Sequence, residues 1–175
     1  MCSSDLEMSS INPVLLLPEA LKARGAALGR DFVGSLTMGA GQFCTNPGLV
    51  LAIDGPGLDE FVASAAEAVG AAAPATMLTA GILGAYNSGV TALAQNPGVE
   101  TLARGQQADN ANCSQAALFQ SQADRFLADG TLAHEVFGAS SILIRCRDEA
   151  ELAKVLGGLE GQLTATLQMD AGDEA

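Results

Sequence analysis

The sequence is poor in basic and aromatic residues. Among 175 residues it has no tryptophan, one tyrosine and one histidine, and eight lysines and arginines stand against 20 aspartates and glutamates. A nucleic-acid-binding protein needs clustered cations to displace counterions from phosphate, and the sequence has no such cluster. The formal net charge of −12 also disfavours an anionic membrane surface. We therefore expect no nucleic acid and no membrane as partner, and assign the acidic surface to solubility.

The sequence also lacks a secretory signal and paired cysteines. Its first residues, MCSSDLEMSS, have neither a basic region nor an apolar one. We therefore expect a cytoplasmic protein whose four cysteines are reduced thiols. No C-x-x-C pair occurs, and His134 is the one imidazole available to a mixed site. The sequence thus predicts no metal centre.

A stretch without charge extends over residues 68–99 and raises the question of a membrane span. Proline, threonine and asparagine interrupt this stretch, whereas a spanning helix needs about 20 predominantly apolar residues. We predict a buried helix from Thr79 to Ala94 instead.

Short apolar runs alternate with helical patterns along the rest of the chain. The pattern predicts strands at Val14–Leu17, Gly48–Ile53, Cys113–Gln120, Ser141–Cys146 and Leu163–Gln168. It predicts further helices at Pro18–Leu28, Asp31–Met38, Leu58–Ala72 and Asp148–Leu156, and a loose region over 96–112. Strands separated by helices indicate an α/β layer structure with a largely parallel sheet.

Cys44, in GQFCTNPG, differs from the other thiols. Cys113 and Cys146 fall in apolar strands, where cysteine usually behaves as a small hydrophobic residue, but Cys44 precedes an Asn-Pro-Gly turn. An ordinary thiol is about 3% ionised at pH 7, so a nucleophile here needs local activation by backbone amides or a base. His134 is one candidate base, as in a Cys–His hydrolase, although no tryptophan follows the cysteine as in papain-type enzymes.

Two carboxylates offer other chemistry. Glu7, in EMSSINP, lies 37 residues before Cys44 and could deprotonate the thiol or a water molecule. Glu135 and Phe137, in HEVFG, would point the same way on an extended chain, so that together they could bind a ribose diol and pack against its ring. The alternatives are a solvated glutamate and a core phenylalanine.

Taken in order, EMSSINP, GQFCTNPG and HEVFG resemble the aldehyde dehydrogenase superfamily. EMSSINPV and LTMGAGQFCTNPGLV are similar to its NADP-dependent branch, which oxidises 2-oxoglutarate semialdehyde (2,5-dioxovalerate) and long-chain fatty aldehydes. The resemblance implies a three-layer α/β domain with a twisted, mainly parallel sheet flanked by helices. It implies an aldehyde substrate and NADP as cofactor, with NAD possible, and a homo-oligomeric, cytoplasmic parent protein.

The resemblance also implies roles for individual residues. Cys44 matches the catalytic nucleophile and Glu7 the general base, while Phe43 and Thr45 match positions in the aldehyde pocket. For the cofactor, the matching positions are Glu135 and Phe137 at the nicotinamide ribose and Met8 near the nicotinamide amide.

The chain departs from the family in what it lacks. Ser9-Ser10-Ile11 replaces the usual Gly-Gly-Lys, as is expected in the dioxovalerate branch, and no complete G-x-G-x-x-G or G-S-x-x-x-G phosphate-binding turn occurs. We therefore expect residues 7–175 to be the catalytic domain of a longer enzyme, without its cofactor domain and C-terminal segments, and inactive alone.

The six residues Met1–Leu6 have a different expected origin. MCSSDL is what a GTG-initiated reading of a common sequencing adapter would encode, so we expect a non-native leader here.

Two alternatives from other classes stay open at this point. One is a non-enzymatic α/β domain that retains the motifs, and the other is a Cys–His thiol hydrolase that uses Cys44 and His134.

Overall fold

The central strands are apolar on both faces, and this requires a layer of helices on each side. In the computed structural model, which describes residues 9–107 and 111–174, Leu49 and Leu51 face one helix layer while Val50 and Ala52 face the other. Successive side chains of a strand point to opposite faces of the sheet, so a strand buried in this way needs cover on both. The predicted three-layer α/β fold is confirmed.

The described residues form eight strands and five α-helices. The strands are β1 (Pro13–Leu16), β2 (Leu49–Ile53), β3 (Ala75–Thr76), β4 (Val99–Arg104), β5 (Cys113–Ser114), β6 (Ala117–Gln122), β7 (Ser140–Cys146) and β8 (Thr166–Gln168). The helices are α1 (Pro18–Thr37), α2 (Leu58–Ala71), α3 (Ala80–Gln95), α4 (Ala123–Ala128) and α5 (Glu149–Gly157). Short 3₁₀ turns occur at Met38–Gly41, Gly130–Ala133 and Ala171–Asp173.

Six strands make one sheet in the order β4-β6-β7-β2-β1-β8, and β3 pairs with β5 in a separate ribbon. Within the large sheet β4 runs antiparallel to β6, and every other neighbouring pair is parallel. The amino ends of five parallel strands therefore lie along one edge of the sheet, which we call the amino edge. The segments that precede β1, β2, β7 and β8 meet there.

The two faces of the sheet are covered by different helices. Helices α1 and α2 pack on the face that carries Val14, Val50 and Leu118. Helices α3 and α5 pack on the opposite face, against residues such as Leu51 and Phe119. Each face thereby has its own hydrophobic core.

The bounds of some predicted helices and strands were wrong. The two helices predicted between Pro18 and Met38 are one helix, α1, with a kink at Arg24, whose φ and ψ are −150° and 28°. The region predicted as loose contains β4, an edge strand whose exposed, half-polar sequence VETLAR lacks the apolar run of a central strand. The strand predicted over Cys113–Gln120 is divided into β5 and β6.

The uncharged helix α3 is not buried as predicted. It lies on the surface, and of its sixteen residues Tyr86 and Val90 are the buried ones. Small and polar residues cover the outer side of this helix, and these residues tolerate water without a charge. None of the helices within residues 9–107 and 111–174 has both the length and the apolar character to cross a membrane.

Candidate active site

Cys44 lies at the amino edge, in the loop of residues 41–48 that connects α1 to β2. The chain leaves α1 through three successive residues in the left-handed region, Gly39, Ala40 and Gly41, with φ of 56°, 60° and 69°. A turn follows in which the Asn46 N–H donates to the Phe43 carbonyl at 3.0 Å. The side chain of Cys44 is exposed at this turn, so the thiol is accessible to a substrate.

Asn12 ties the 41–48 loop to the segment that precedes β1. Its side-chain amide donates to the carbonyl oxygens of Cys44, at 2.9 Å, and Asn46, at 3.0 Å. The Gly48 N–H in turn donates to the Ile11 carbonyl at 2.9 Å. Because Asn12 is buried, these bonds are shielded from water and fix the backbone around Cys44.

The segment before β8 is joined to the same network. The Asn12 side-chain oxygen accepts from the Thr164 N–H and hydroxyl, both at 3.1 Å. The Gln162 side-chain oxygen accepts from the Ile11 N–H at 2.7 Å and the Asn12 N–H at 3.1 Å. Three segments of the amino edge are therefore held in one hydrogen-bonded arrangement.

A fourth segment, the loop of residues 135–138 before β7, contacts the 41–48 loop directly. The Asn46 side-chain amide donates to the Gly138 carbonyl at 3.0 Å. At Gly41 the two backbones approach so closely that a Cβ would lie 2.2 Å from the Gly138 carbonyl carbon. The thiol loop and the loop that bears Glu135 and Phe137 are thus adjacent.

Glu135 and Phe137 line the same crevice, together with His134, Ser10 and Asn46. Glu135 is half-buried, and 38% of Phe137 is exposed. No described side chain or backbone N–H donates to the Glu135 carboxylate, so its oxygens are available to a ligand. A carboxylate and an aromatic ring beside each other suit a molecule with hydroxyl groups on an apolar ring face.

The two predicted aldehyde-pocket residues lie in different surroundings. Thr45 lines a cavity of about 210 Å³ between α1 and β8, with Phe32, Ser35 and Thr164 among its neighbours. Phe43 is 48% exposed and its ring lies over Gly39. The structure therefore places Thr45 in the wall of this cavity, whose lining includes neither Phe43 nor Cys44.

The backbone N–H of Cys44 is a free donor with respect to the described residues, none of which accepts a hydrogen bond from it. A free N–H next to a nucleophile is suited to stabilise an oxyanion that forms on a carbonyl attacked by the thiol.

The two other thiols in the described part of the chain, Cys113 and Cys146, and the histidine do not complete a second site. Cys146 is buried, and its burial raises the pKa of the thiol to about 11. Cys113 is half-buried with the Thr76 hydroxyl 3.5 Å from its sulfur. The described residues include no hydrogen bond between Cys44 and His134, so the geometry does not support a Cys–His pair. They also include no group of three or more His, Cys, Asp and Glu side chains that could hold a metal ion.

Glu7, Met8 and the leader Met1–Leu6 lie outside the described residues. The roles predicted for Glu7 and Met8, and the origin predicted for the leader, stay predictions.

Sequence reasoning missed Asn12 and Asn46, which join the segments of the site. A signal was present, since each asparagine precedes a proline shortly before a parallel strand: Asn12-Pro13 at β1 and Asn46-Pro47 at β2. Asparagine both tolerates a positive φ, 46° at Asn12, and supplies a side chain that bonds nearby backbone.

Comparison with known proteins supports the resemblance. No family model matches the chain. It is 55% identical over 168 residues to alpha-ketoglutaric semialdehyde dehydrogenase 2 of Azospirillum brasilense, covering 96% of this chain and 32% of that protein. It is 44% identical over 168 residues to alpha-ketoglutaric semialdehyde dehydrogenase of Acinetobacter baylyi (strain ATCC 33305 / BD413 / ADP1), covering 95% and 32%.

The fold agrees with solved aldehyde dehydrogenases. The crystal structure of an NAD-dependent benzaldehyde dehydrogenase from Corynebacterium glutamicum superposes with a TM-score of 0.73 at 18% identity, over 96% of this chain and 36% of that one. The chain therefore spans about a third of the length of the curated relatives and of this structure. The predicted resemblance to the aldehyde dehydrogenases is confirmed in sequence and in fold.

Proposed function

We propose that this chain is the catalytic domain of an NAD(P)-dependent aldehyde dehydrogenase that oxidises an aldehyde to a carboxylic acid. The observation that carries the proposal is the contact between the 41–48 loop, with the exposed Cys44, and the 135–138 loop, with Glu135 and Phe137. The 55% identity to an alpha-ketoglutaric semialdehyde dehydrogenase supports the same activity.

Cys44 supplies the nucleophile. Its thiolate attacks the aldehyde carbonyl carbon and forms a hemithioacetal, whose oxyanion accepts a hydrogen bond from the Cys44 N–H. The Asn12 and Asn46 hydrogen bonds hold that N–H and the thiol in one geometry, so little reorganisation is needed when charge develops. Loss of hydride from the carbon leaves a thioester on Cys44.

The residues of the crevice fit the cofactor that the resemblance implies. The Glu135 carboxylate, unbonded among the described residues, would accept hydrogen bonds from the ribose diol, and the exposed face of Phe137 would pack against the ribose. Bound NAD(P)⁺ supplies the hydride acceptor. Glu7 then activates a water molecule that hydrolyses the thioester, which releases the acid and regenerates the thiol.

We assign 2-oxoglutarate semialdehyde as the substrate, because both curated relatives are named for it. NADP is the cofactor proposed in preference to NAD, on the basis of the sequence resemblance to the NADP-dependent branch. Long-chain fatty aldehydes are the alternative substrates of that branch. We also propose that residues 7–175 work within a longer protein, which the relatives' greater length supports. That this protein is homo-oligomeric is proposed on the basis of the sequence resemblance.

The test is an assay of the full-length protein encoded at the genomic locus, with 2,5-dioxovalerate and a long-chain fatty aldehyde, each with NAD⁺ and with NADP⁺. Cys44→Ser should lower kcat at least about a thousandfold, since the covalent step is lost. The matched control is Cys113→Ser, which removes a thiol from the β5 ribbon and should retain activity. Unchanged turnover in Cys44→Ser would overturn the role of the cysteine.

Two further outcomes bear on the remaining parts of the proposal. If the full-length protein oxidises neither aldehyde, the proposal of an aldehyde dehydrogenase is wrong, and the alternative hypothesis of a non-enzymatic α/β domain is favoured. If the 175-residue chain alone oxidises an aldehyde with NAD(P)⁺, the proposal that the site needs further domains is wrong.

A further inference from the structure

Helix α3 lies against the 135–138 loop and contacts it at two points. The first contact is made by Tyr86, a buried side chain whose hydroxyl lies 2.6 Å from the Gln115 carbonyl oxygen and 3.1 Å from that of Ala139. Its single proton is shared between these two acceptors. Burial raises the pKa of Tyr86 well above its usual range, so the hydroxyl remains a donor at every pH at which an enzyme works.

The Tyr86 ring also covers Gly138. This glycine has a φ of 144°, and a Cβ on it would lie 2.3 Å from a ring carbon of Tyr86. The aromatic ring therefore occupies the space next to a backbone position that favours glycine. The hydroxyl of the same side chain holds the next residue, Ala139, through its carbonyl.

The second contact is made by Gly89, one turn further along α3. A Cβ at this position would lie 2.9 Å and 3.0 Å from the two γ-carbons of Val136. Valine has a restricted χ1, and Val136 packs against the hydrophobic core beneath it. Val136 therefore has little freedom to move away from the helix.

We propose that Tyr86 and Gly89 are positioning residues that set the direction of Glu135 and Phe137 toward the cofactor. Val136 lies between Glu135 and Phe137 in the sequence and packs against Gly89. Gly138 follows Phe137 and packs against the Tyr86 ring. All four residues line the crevice, so a segment held at Val136 and Gly138 also fixes the intervening Phe137 and the neighbouring Glu135 within it. This inference rests on the proposed function.

The experiment uses the full-length protein with Tyr86→Phe and Gly89→Ala, each with a matched control. Gly84→Ala makes the same change on the same helix, where nothing lies within 4 Å of the added Cβ. Ser64→Ala removes a buried hydroxyl that donates to the Ala26 carbonyl at 2.7 Å on the other face of the sheet. The measurements are the Kd for reduced cofactor by fluorescence, KM and kcat for the aldehyde, and hydrogen exchange of peptides that cover residues 134–140.

Tyr86→Phe and Gly89→Ala should each weaken cofactor binding about fivefold or more, the effect of one hydrogen bond or one steric contact. Both should speed hydrogen exchange over residues 134–140, with little change in the KM for the aldehyde. Gly84→Ala and Ser64→Ala should leave cofactor binding and this exchange unchanged. Val136→Ala, added to Gly89→Ala, makes room for the new methyl group and should restore part of the lost affinity.

The proposal is overturned if Tyr86→Phe and Gly89→Ala change the Kd by no more than the controls do, whatever their effect on thermal stability. That outcome is distinct from failure of the proposed function, in which the unsubstituted full-length protein neither binds the cofactor nor oxidises an aldehyde. The exchange measurement needs no activity and tests the contact between α3 and the loop in either case.

Discussion

The side-chain amide of Asn12 donates a hydrogen bond to the backbone carbonyl of Cys44 at 2.9 Å, across 32 residues of sequence. The backbone that carries the Cys44 thiol is therefore held by a side chain from the segment that precedes β1. Asn12 also has a φ of 46°, a conformation that asparagine adopts more readily than most residues. One residue thus combines the backbone turn that leads into β1 with the side-chain hydrogen bonds that hold the thiol loop.

Asn12→Asp should destabilise the protein by about 2–4 kcal/mol, because it replaces the donor that faces two carbonyl oxygens by an acceptor of the same shape. Asn87→Asp makes the same change of charge on the exposed side of α3 and should alter the unfolding free energy by less than about 0.5 kcal/mol. Denaturant titration of both variants measures the difference. Equal stability of the two variants would show that the Asn12 network contributes nothing to the fold.

Gly41→Ala should be severely destabilising. The φ of Gly41 is 69°, and the new Cβ would lie 2.2 Å from the Gly138 carbonyl carbon, so the two loops of the site must separate. We expect a loss of at least about 3 kcal/mol from strain and overpacking. Gly34→Ala, in α1 with open space around it, should instead stabilise by up to about 1 kcal/mol. Thermal unfolding of the pair would contradict this prediction if both variants melt alike.

Glu151 should make the protein sensitive to acid. Its carboxylate accepts from the Arg147 side chain, at 2.6 Å and 3.0 Å, and from the Arg147 N–H at 2.7 Å. The Arg147 hydrogen bonds lower the pKa of Glu151. A depressed folded-state pKa stabilises the protein above the ordinary glutamate pKa of about 4.3, and this contribution is lost as the pH falls through the folded-state value.

Glu151→Gln should therefore be less stable than the unsubstituted protein at neutral pH, and the difference should shrink as the pH is lowered toward 3. Glu149→Gln, on the exposed side of the same helix, provides the control for loss of charge. Denaturant titrations between pH 3 and 7 measure both variants. A difference that stays constant with pH would show that the Arg147 contact does not set the ionisation of Glu151.

The sequence was sufficient to predict the elements that are buried on both faces. LVLAI and SSILIRC appear as apolar runs of strand length, and they are β2 and β7 in the structure. The strand β4 was missed because VETLAR is an edge strand with polar side chains, and its pairing with β6 shifts register between Thr101 and Ala103. An edge strand is stabilised by hydrogen bonds to the backbone of its neighbouring strand. The hydrophobic pattern of the edge strand's own residues contains no information about those bonds.

The candidate reactive groups could be proposed from the sequence, but the groups that hold their loops in place could not. Cys44, Glu135 and Phe137 lie in short motifs whose residue types carry the chemistry. Asn12 and Tyr86 act through hydrogen bonds to carbonyls 32 and 53 residues away. Such bonds depend on which segments the sheet brings together, and local signals such as the Asn12-Pro13 pair do not show which carbonyl a side chain reaches.

Cys44 should be alkylated faster than Cys113 and Cys146. Cys44 is exposed, Cys113 is half-buried, and the buried Cys146 has a pKa of about 11, so only about one in a thousand Cys146 thiols is ionised at pH 8. Because the thiolate is the reactive form, we expect iodoacetamide to label Cys44 at least about a hundredfold faster than Cys146. Peptide mass spectrometry over a time course measures each site. In denaturant the alkylation rates of the three cysteines should converge. If Cys146 of the native protein is labelled as fast as Cys44, the difference in burial on which the assignment of the nucleophile depends is contradicted.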